Sequence, residues 1–359
     1  DIFLYHPPPP THPPPCSHTT QNQTRLNIAQ QNIIKLGTLS VFISYAVVIF
    51  DPIQQLARLL AELISCQANI ERVMDLLEQK PNVVDRTDVL RKYGDAFSPN
   101  KGNWEKIQGD IEFEDVSFMY PDGKEYVLEH FNLHVPAGMN VAIVGETGAG
   151  KSTLVNLVGR FFEPTMGRIL IDGVDIREIS QHKLRSLLGF VPQKGNLFSG
   201  DIASNIKYGG SHISDEKMIE AAEIAQATEF IDSKPEGYES PIAQGGSNVS
   251  GGQKQRLSIA RAIAKDPKIF LFDDSFSALD YKTDMVLRKA LHEKIEDATI
   301  IIVAQRISTI LHANQIIVLD DGKVAGIGTH EELLATCGAY QEIARSQLSE
   351  AELKGGSAS

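Results

Sequence analysis

The stretch NVAIVGETGAGKSTLVNLV, residues 140–158, leaves this chain few folds to choose from. An apolar, β-branched run breaks at Gly145, passes Gly148 and Gly150, and resumes with helical spacing after Lys151. A strand that turns this tightly into a helix needs glycines, whose backbone reaches conformations that hinder other residues. Such a turn aims several N–H groups at one spot. The helix start behind it adds partial positive charge, so the spot suits phosphate oxygens. Lys151 brings a cation to the β and γ phosphates, and the Ser152 hydroxyl reaches a Mg²⁺ ion. The segment Gly145, Glu146, Thr147, Gly148, Ala149, Gly150, Lys151, Ser152 and Thr153 is predicted to hold a nucleoside triphosphate. A plain glycine-rich turn is the bland alternative, and the strand–loop–helix setting weighs against it.

A second apolar strand, KIFLFDD, delivers two acids to its tip. Asp273 stands where a fold of this kind holds Mg²⁺, and Asp274 stands nearest the attacking water. Around them, DIEFEDVSFMY, RILIDG, TIIIVA and QIIVLD read as further strands, and GQKQRLSIARAIA and KTDMVLRKALHEKIE as helices. The alternation predicts an α/β domain with a largely parallel sheet.

The chain ahead of this domain has a different character. Residues 1–24 are rich in Pro, His and Thr without hydrophobic period, and read as polyproline or disorder. His6, His12 and His18 lack an acidic partner and are not read as a metal site. The chain opens on Asp1 without a cleavable leader pattern, as expected of a fragment or truncated reading frame. The uncharged run LGTLSVFISYAVVIF, Leu36 to Phe50, is short of the ~20 residues that span a bilayer. Extended back through LNIAQQNII, with its Asn and Gln accepted, it is long enough, and a membrane helix is expected over the alternative of a core helix in a soluble domain. After Pro52 an amphipathic pattern continues to residue 79, with a kink expected at the proline. Residues 80–109 hold Pro81, Gly94, Pro99 and Gly102 and read as a linker. A domain from 110 to 347 and a tail from 348 to 359 complete the division.

With 34 basic and 46 acidic residues the chain carries a net charge of −12, which argues against a nucleic-acid binder. Three scattered cysteines, Cys16, Cys66 and Cys337, indicate neither a disulfide framework nor a thiolate metal site. THEEL, residues 329–333, is no metalloprotease motif, because Leu334 stands where the second histidine is needed; Thr329 reads as a helix cap.

NVSGGQKQRLSIARA, residues 248–262, narrows the class. It resembles the signature segment of ATP-binding cassette (ABC) transporters, usually Leu-Ser-Gly-Gly-Gln, here with Val249 in first place. Ser250, Gly251, Gly252 and Gln253 open a helix and so make a second anion-binding terminus. One ATP meets both termini only if two subunits pair head to tail. The resemblance covers residues 110–345 and implies further roles. Tyr120 in FMYPDG looks like the aromatic that stacks on adenine, although a lone tyrosine at a strand end could equally be core packing. Gln193 in FVPQKGNLFSGDIASNI matches the glutamine that contacts Mg²⁺ and responds to the membrane part, and SALD (Ser277 to Asp280) matches the loop that crosses between subunits. The implied fold is an ATP-binding cassette: a parallel-sheet core, an antiparallel β subdomain and a helical signature subdomain. Residues 25–79 look like the last transmembrane helix of an exporter with its cytoplasmic extension.

Besides Val249, the sequence departs from the family at three points. The family's catalytic glutamate is Asp274 here, its switch histidine is Gln305, and a glutamate common in exporters is Gln244. An aspartate falls back by about 1 Å, and misplacement on that scale costs on the order of 100-fold in rate. Gln305 can donate a hydrogen bond but cannot become cationic or pass a proton. Groups that bind ATP and Mg²⁺ are kept, while those that serve hydrolysis are altered. The resemblance thus implies a half-transporter in the cell (inner) membrane with its cassette in the cytoplasm. It would pair with a second half-transporter, hold ATP at its own slow site, and lend its signature to the partner's competent site. A homodimer with slow ATPase, a soluble ABC ATPase of translation or repair, and a remnant that binds ATP without transport are the competing readings.

Overall fold

The structure, a computed structural model, describes residues 36–348 apart from 211, 296 and 312. The proline-rich tract with its three histidines and the tail beyond Leu348 lie outside the described residues. The chain divides into two units, one ending at Pro81 and the other beginning at Asn82.

In the first unit, α1 (Leu36–Glu78) is one 43-residue helix with no buried residue. At 1.5 Å per residue it runs about 65 Å, twice the ~30 Å of a bilayer core. It is long and apolar enough to cross a membrane, by length and composition. The helix continues through Pro52, which has no N–H to donate back to Val48.

The second unit opens with α2 (Thr87–Tyr93), inside the segment expected as a linker. Strands β1 (Ile111–Phe118), β2 (Leu128–Val135), β3 (Asn140–Gly145), β4 (Met166–Ile171), β5 (Val174–Asp175) and β6 (Leu188–Val191) follow. Next come the short β7 (Gly200–Asp201) and β8 (Pro241–Ile242), then β9 (Ile269–Asp273), β10 (Thr299–Val303), β11 (Gln315–Asp320) and β12 (Lys323–Gly328). Strands β2, β1, β4 and β5 form an antiparallel sheet in that order. The larger sheet runs β12-β11-β3-β10-β9-β6, parallel except for its edge strand β12.

The helices are α3 (Lys151–Val158), α4 (Gln181–Leu187), α5 (Ile202–Ile206), α6 (Asp215–Ile224), α7 (Thr228–Asp232), α8 (Gly251–Ala264), α9 (Tyr281–Lys294), α10 (His330–Thr336) and α11 (Gly338–Gln347). Parallel strands covered on both faces are apolar throughout, as β9, β10 and β11 are here. Their period of two divides the core. Val141, Ile143, Leu271, Ile301 and Ile317 pack with α3 and the antiparallel sheet, while Ala142, Val144, Phe272, Ile302 and Val318 pack with α6, α8 and α11. Leu271 is fully buried, so trimming it to alanine would cost about 2–5 kcal/mol. The parallel strands bring Gly145, Asp273 and Val303 to one edge of the sheet, where such folds bind ligands.

Candidate functional site

The turn after β3 is built by close approach. A Cβ on Gly145 would stand 2.3 Å from the Leu319 carbonyl of β11, so only glycine fits. Gly148 and Gly150 hold φ of +94° and +96°, in the left-handed region that glycine occupies freely. Lys151, the first residue of α3, is buried and donates from Nζ to the carbonyls of Gly145 (2.8 Å) and Glu146 (2.6 Å). Burial pushes its pKa down, against the charges of Asp274, Asp273 and Glu146. Glu146, Thr147, Gly148 and Ser152 stay exposed, leaving a rim of backbone and hydroxyl donors open to a ligand.

Across the sheet, the Ser152 hydroxyl donates to Asp273 Oδ1 at 2.7 Å, so the two groups expected at the metal already meet. Burial raises the Asp273 pKa and the Asp274 charge adds to it, while the Ser152 hydrogen bond and Lys151 pull the other way. The described residues contain no group of three His, Cys, Asp or Glu side chains able to hold a metal by themselves. The Ser152 hydroxyl and the Asp273 carboxylate are oxygen groups of the kind that suits a hard cation such as Mg²⁺.

Asp274 is buried, with φ of +47°. Its N–H donates to the Val303 carbonyl at 3.0 Å, and its own carbonyl accepts the Ser277 hydroxyl at 2.8 Å. Its Oδ2 accepts from Gln193 Nε2 at 2.9 Å, which brings the predicted metal-contacting glutamine onto the predicted catalytic acid. Gln305 lines a small hollow with Asp274, Ser277 and Ala304, and its carbonyl accepts from Gln347 Nε2 at 2.8 Å. Tyr120 shares a hydrogen bond with Thr153 of α3 at 3.0 Å and meets Phe118 and Phe162 edge-on, so its ring is fixed beside the phosphate turn.

The signature is ordered by its own capping. Ser250 caps α8, accepting from the Gln253 N–H, while Gln253 Oε1 accepts the Ser250 N–H at 3.0 Å. A Cβ on Gly252 would come 3.3 Å from the Ala278 carbonyl, so the helix start lies against the predicted crossing loop. Among the described residues no hydrogen bond joins residues 250–253 to 145–153.

Sequence reasoning missed Gln255. Buried on α8, it accepts from the Gly195 N–H at 2.9 Å and donates to the Pro192 carbonyl at 3.0 Å, gripping both sides of Gln193. The signal was there: Gln255 lies on the buried face of an amphipathic helix, where a polar side chain needs a partner.

An ABC transporter family model matches residues 128–277. Over 317 residues the chain is 40% identical to an uncharacterized ABC transporter ATP-binding protein of Mycobacterium tuberculosis, covering 88% of this chain and 52% of that protein. Over 305 residues it is 38% identical to an ATP-dependent lipid A-core flippase of Desulfotalea psychrophila, covering 85% and 51%. A bacterial Atm1-family ABC exporter solved with ATP bound matches with a TM-score of 0.71 and 34% identity, over 88% of this chain and 53% of that one. The chain spans about half the length of the curated relatives it matches.

Proposed function

We propose that this chain, which matches an ABC transporter family model over residues 128–277, is the ATP-binding part of an exporter subunit whose own site holds ATP and turns it over slowly. The observation that carries the slow site is Asp274, a short acid held by Gln193 at 2.9 Å beside the glycine turn and the Ser152–Asp273 pair read as the phosphate and metal site. Lys151 and the N–H groups of residues 146–151 would grip the phosphates. Ser152 and Asp273 would hold the Mg²⁺, joined by Gln193 once it leaves Asp274. Bound Mg²⁺ supplies charge neutralisation at the β and γ oxygens. Asp274 would accept the proton of the water, from further back than a glutamate would, and the Gln305 amide would donate to phosphate without changing charge. The Tyr120 ring would lie against the adenine.

Ser250 to Gln253 would complete the site of a second half-transporter in a head-to-tail heterodimer, because these four residues keep the phosphate-binding pattern. In this reading α1 sits in the cell membrane with the cassette on its cytoplasmic side, and closure of the paired cassettes drives export. The purified chain is expected to bind ATP more tightly with Mg²⁺ than without, and Lys151→Met to weaken binding at least tenfold, ~1.4 kcal/mol. Binding that ignores both changes would refute the assignment. Brisk turnover by the chain alone would refute the slow site.

A further inference from the structure

Residues 82–107, which lie inside the 80–109 stretch expected as a linker, are fastened to the rest of the second unit by two cations almost removed from solvent. The Arg160 side chain is 1% exposed; its guanidinium donates to Asp85 at 2.7 Å, Glu163 at 2.8 Å, and the carbonyls of Ile179 at 3.0 Å and Val84 at 3.2 Å. Asp85 also accepts from the N–H of Gln181, the first residue of α4, at 3.0 Å. Lys183, equally buried in α4, pairs with Glu105 and lies 4.8 Å from the centre of the Tyr93 ring. Glu105 takes Lys92 at 2.7 Å and the Tyr93 hydroxyl at 3.1 Å as well.

Buried cations are costly unless every donor finds a partner, and a passive tether has no need of them. Their placement is informative. Arg160 follows the end of α3, the helix that begins with Lys151 and Ser152, and its carbonyl accepts from Arg185 of α4 at 3.1 Å. Lys183 sits in α4, which passes directly into β6 and so to Gln193. The segment thus grips the far ends of the two elements whose near ends carry the phosphate loop and the metal-contacting glutamine.

We propose that residues 82–107 form a strap energetically coupled to the nucleotide site, with Asp85 and Glu105 as positioning residues that set where α3 and Gln193 stand. The strap rests on the reading of that site as an ATP site. Coupling is reciprocal: if the strap favours the ATP-binding geometry, ATP must tighten the strap by the same factor.

The test uses the whole chain. Amide exchange in residues 82–107 is followed with and without Mg-ATP. ATP affinity is measured for wild type, Asp85→Asn, Glu105→Gln and the surface control Asp266→Asn. Nucleotide is expected to slow exchange in the wild-type strap severalfold. Asp85→Asn and Glu105→Gln are expected to weaken ATP about 5- to 20-fold, with the control unchanged. If Asp85→Asn fails to fold, Glu105→Gln decides, because the Glu105 side chain is 52% exposed. Faster strap exchange at unchanged ATP affinity overturns the coupling, as does a wild-type strap indifferent to bound nucleotide. If wild type binds no ATP at all, the site assignment itself fails and the strap falls with it.

Discussion

Asp274 and Asp273 are neighbours in sequence with different surroundings. Asp274 is fixed by Val303, Ser277 and Gln193 in a left-handed backbone conformation that aspartate tolerates better than most residues. Asp273 points at Ser152, and burial and its neighbour's charge lift its pKa from the ordinary 3.8. An acid raised on folding adds stability below its unfolded pKa and loses that contribution as pH rises through the folded value. As pH rises through that folded value, Asp273 gains the charge that a bound Mg²⁺ ion would neutralise. Mg-ATP is therefore expected to raise the melting temperature more at pH 7.5 than at pH 5, as read by calorimetry at the two pH values; an equal rise at both would remove Asp273 from the metal site. That Lys151, Ser152 and Asp273 come together was legible in the sequence, because a glycine-rich turn and an acid at a strand tip are local patterns. Arg160 was not. Its partner Asp85 lies 75 positions earlier, and no local spacing announces such a pair.

Among the elements, strands with unbroken apolar runs such as β9 and β10 could be read directly, whereas β2 could not. His130, at φ +49°, inserts a bulge, so Leu128 and Phe131 are both buried without the two-residue alternation that marks a strand. In the segment 80–109 glycines and prolines suggested a linker, while its anchors, Asp85 and Glu105, look like ordinary surface acids until their buried partners are known. Helix α8 joins two predicted sites, its first turn carrying the signature and Gln255 holding the Gln193 loop. Gln255→Leu leaves the Gly195 N–H without its partner, a loss of about 1–3 kcal/mol, and is expected to lower turnover more than ATP affinity. An equal loss in both would make Gln255 a general packing residue. Thr329 caps α10 through a capping box with Glu332, as the sequence suggested. Thr329→Ala should cost ~1 kcal/mol of stability and leave ATP binding unchanged, which thermal melts and titrations can check together.

The chain as a whole carries a helix long and apolar enough to cross a membrane and a cassette whose own site is proposed to be slow. The chain is expected to sediment with lipid vesicles through residues 36–78, and removing them should abolish sedimentation without changing ATP affinity; a full chain that stays in solution would contradict the membrane assignment. The slow turnover proposed for this chain's own site rests on Asp274 and Gln305. It is tested most directly by steady-state ATP turnover of wild type and the double variant Asp274→Glu, Gln305→His, each alone and mixed with a half-transporter carrying Glu and His at those two positions. A nearly inactive wild type, an active mixture, and a double variant faster by on the order of 100-fold are expected. Brisk hydrolysis by the wild type alone, little changed by the two substitutions, would contradict it and make Asp274 a working base in a homodimer.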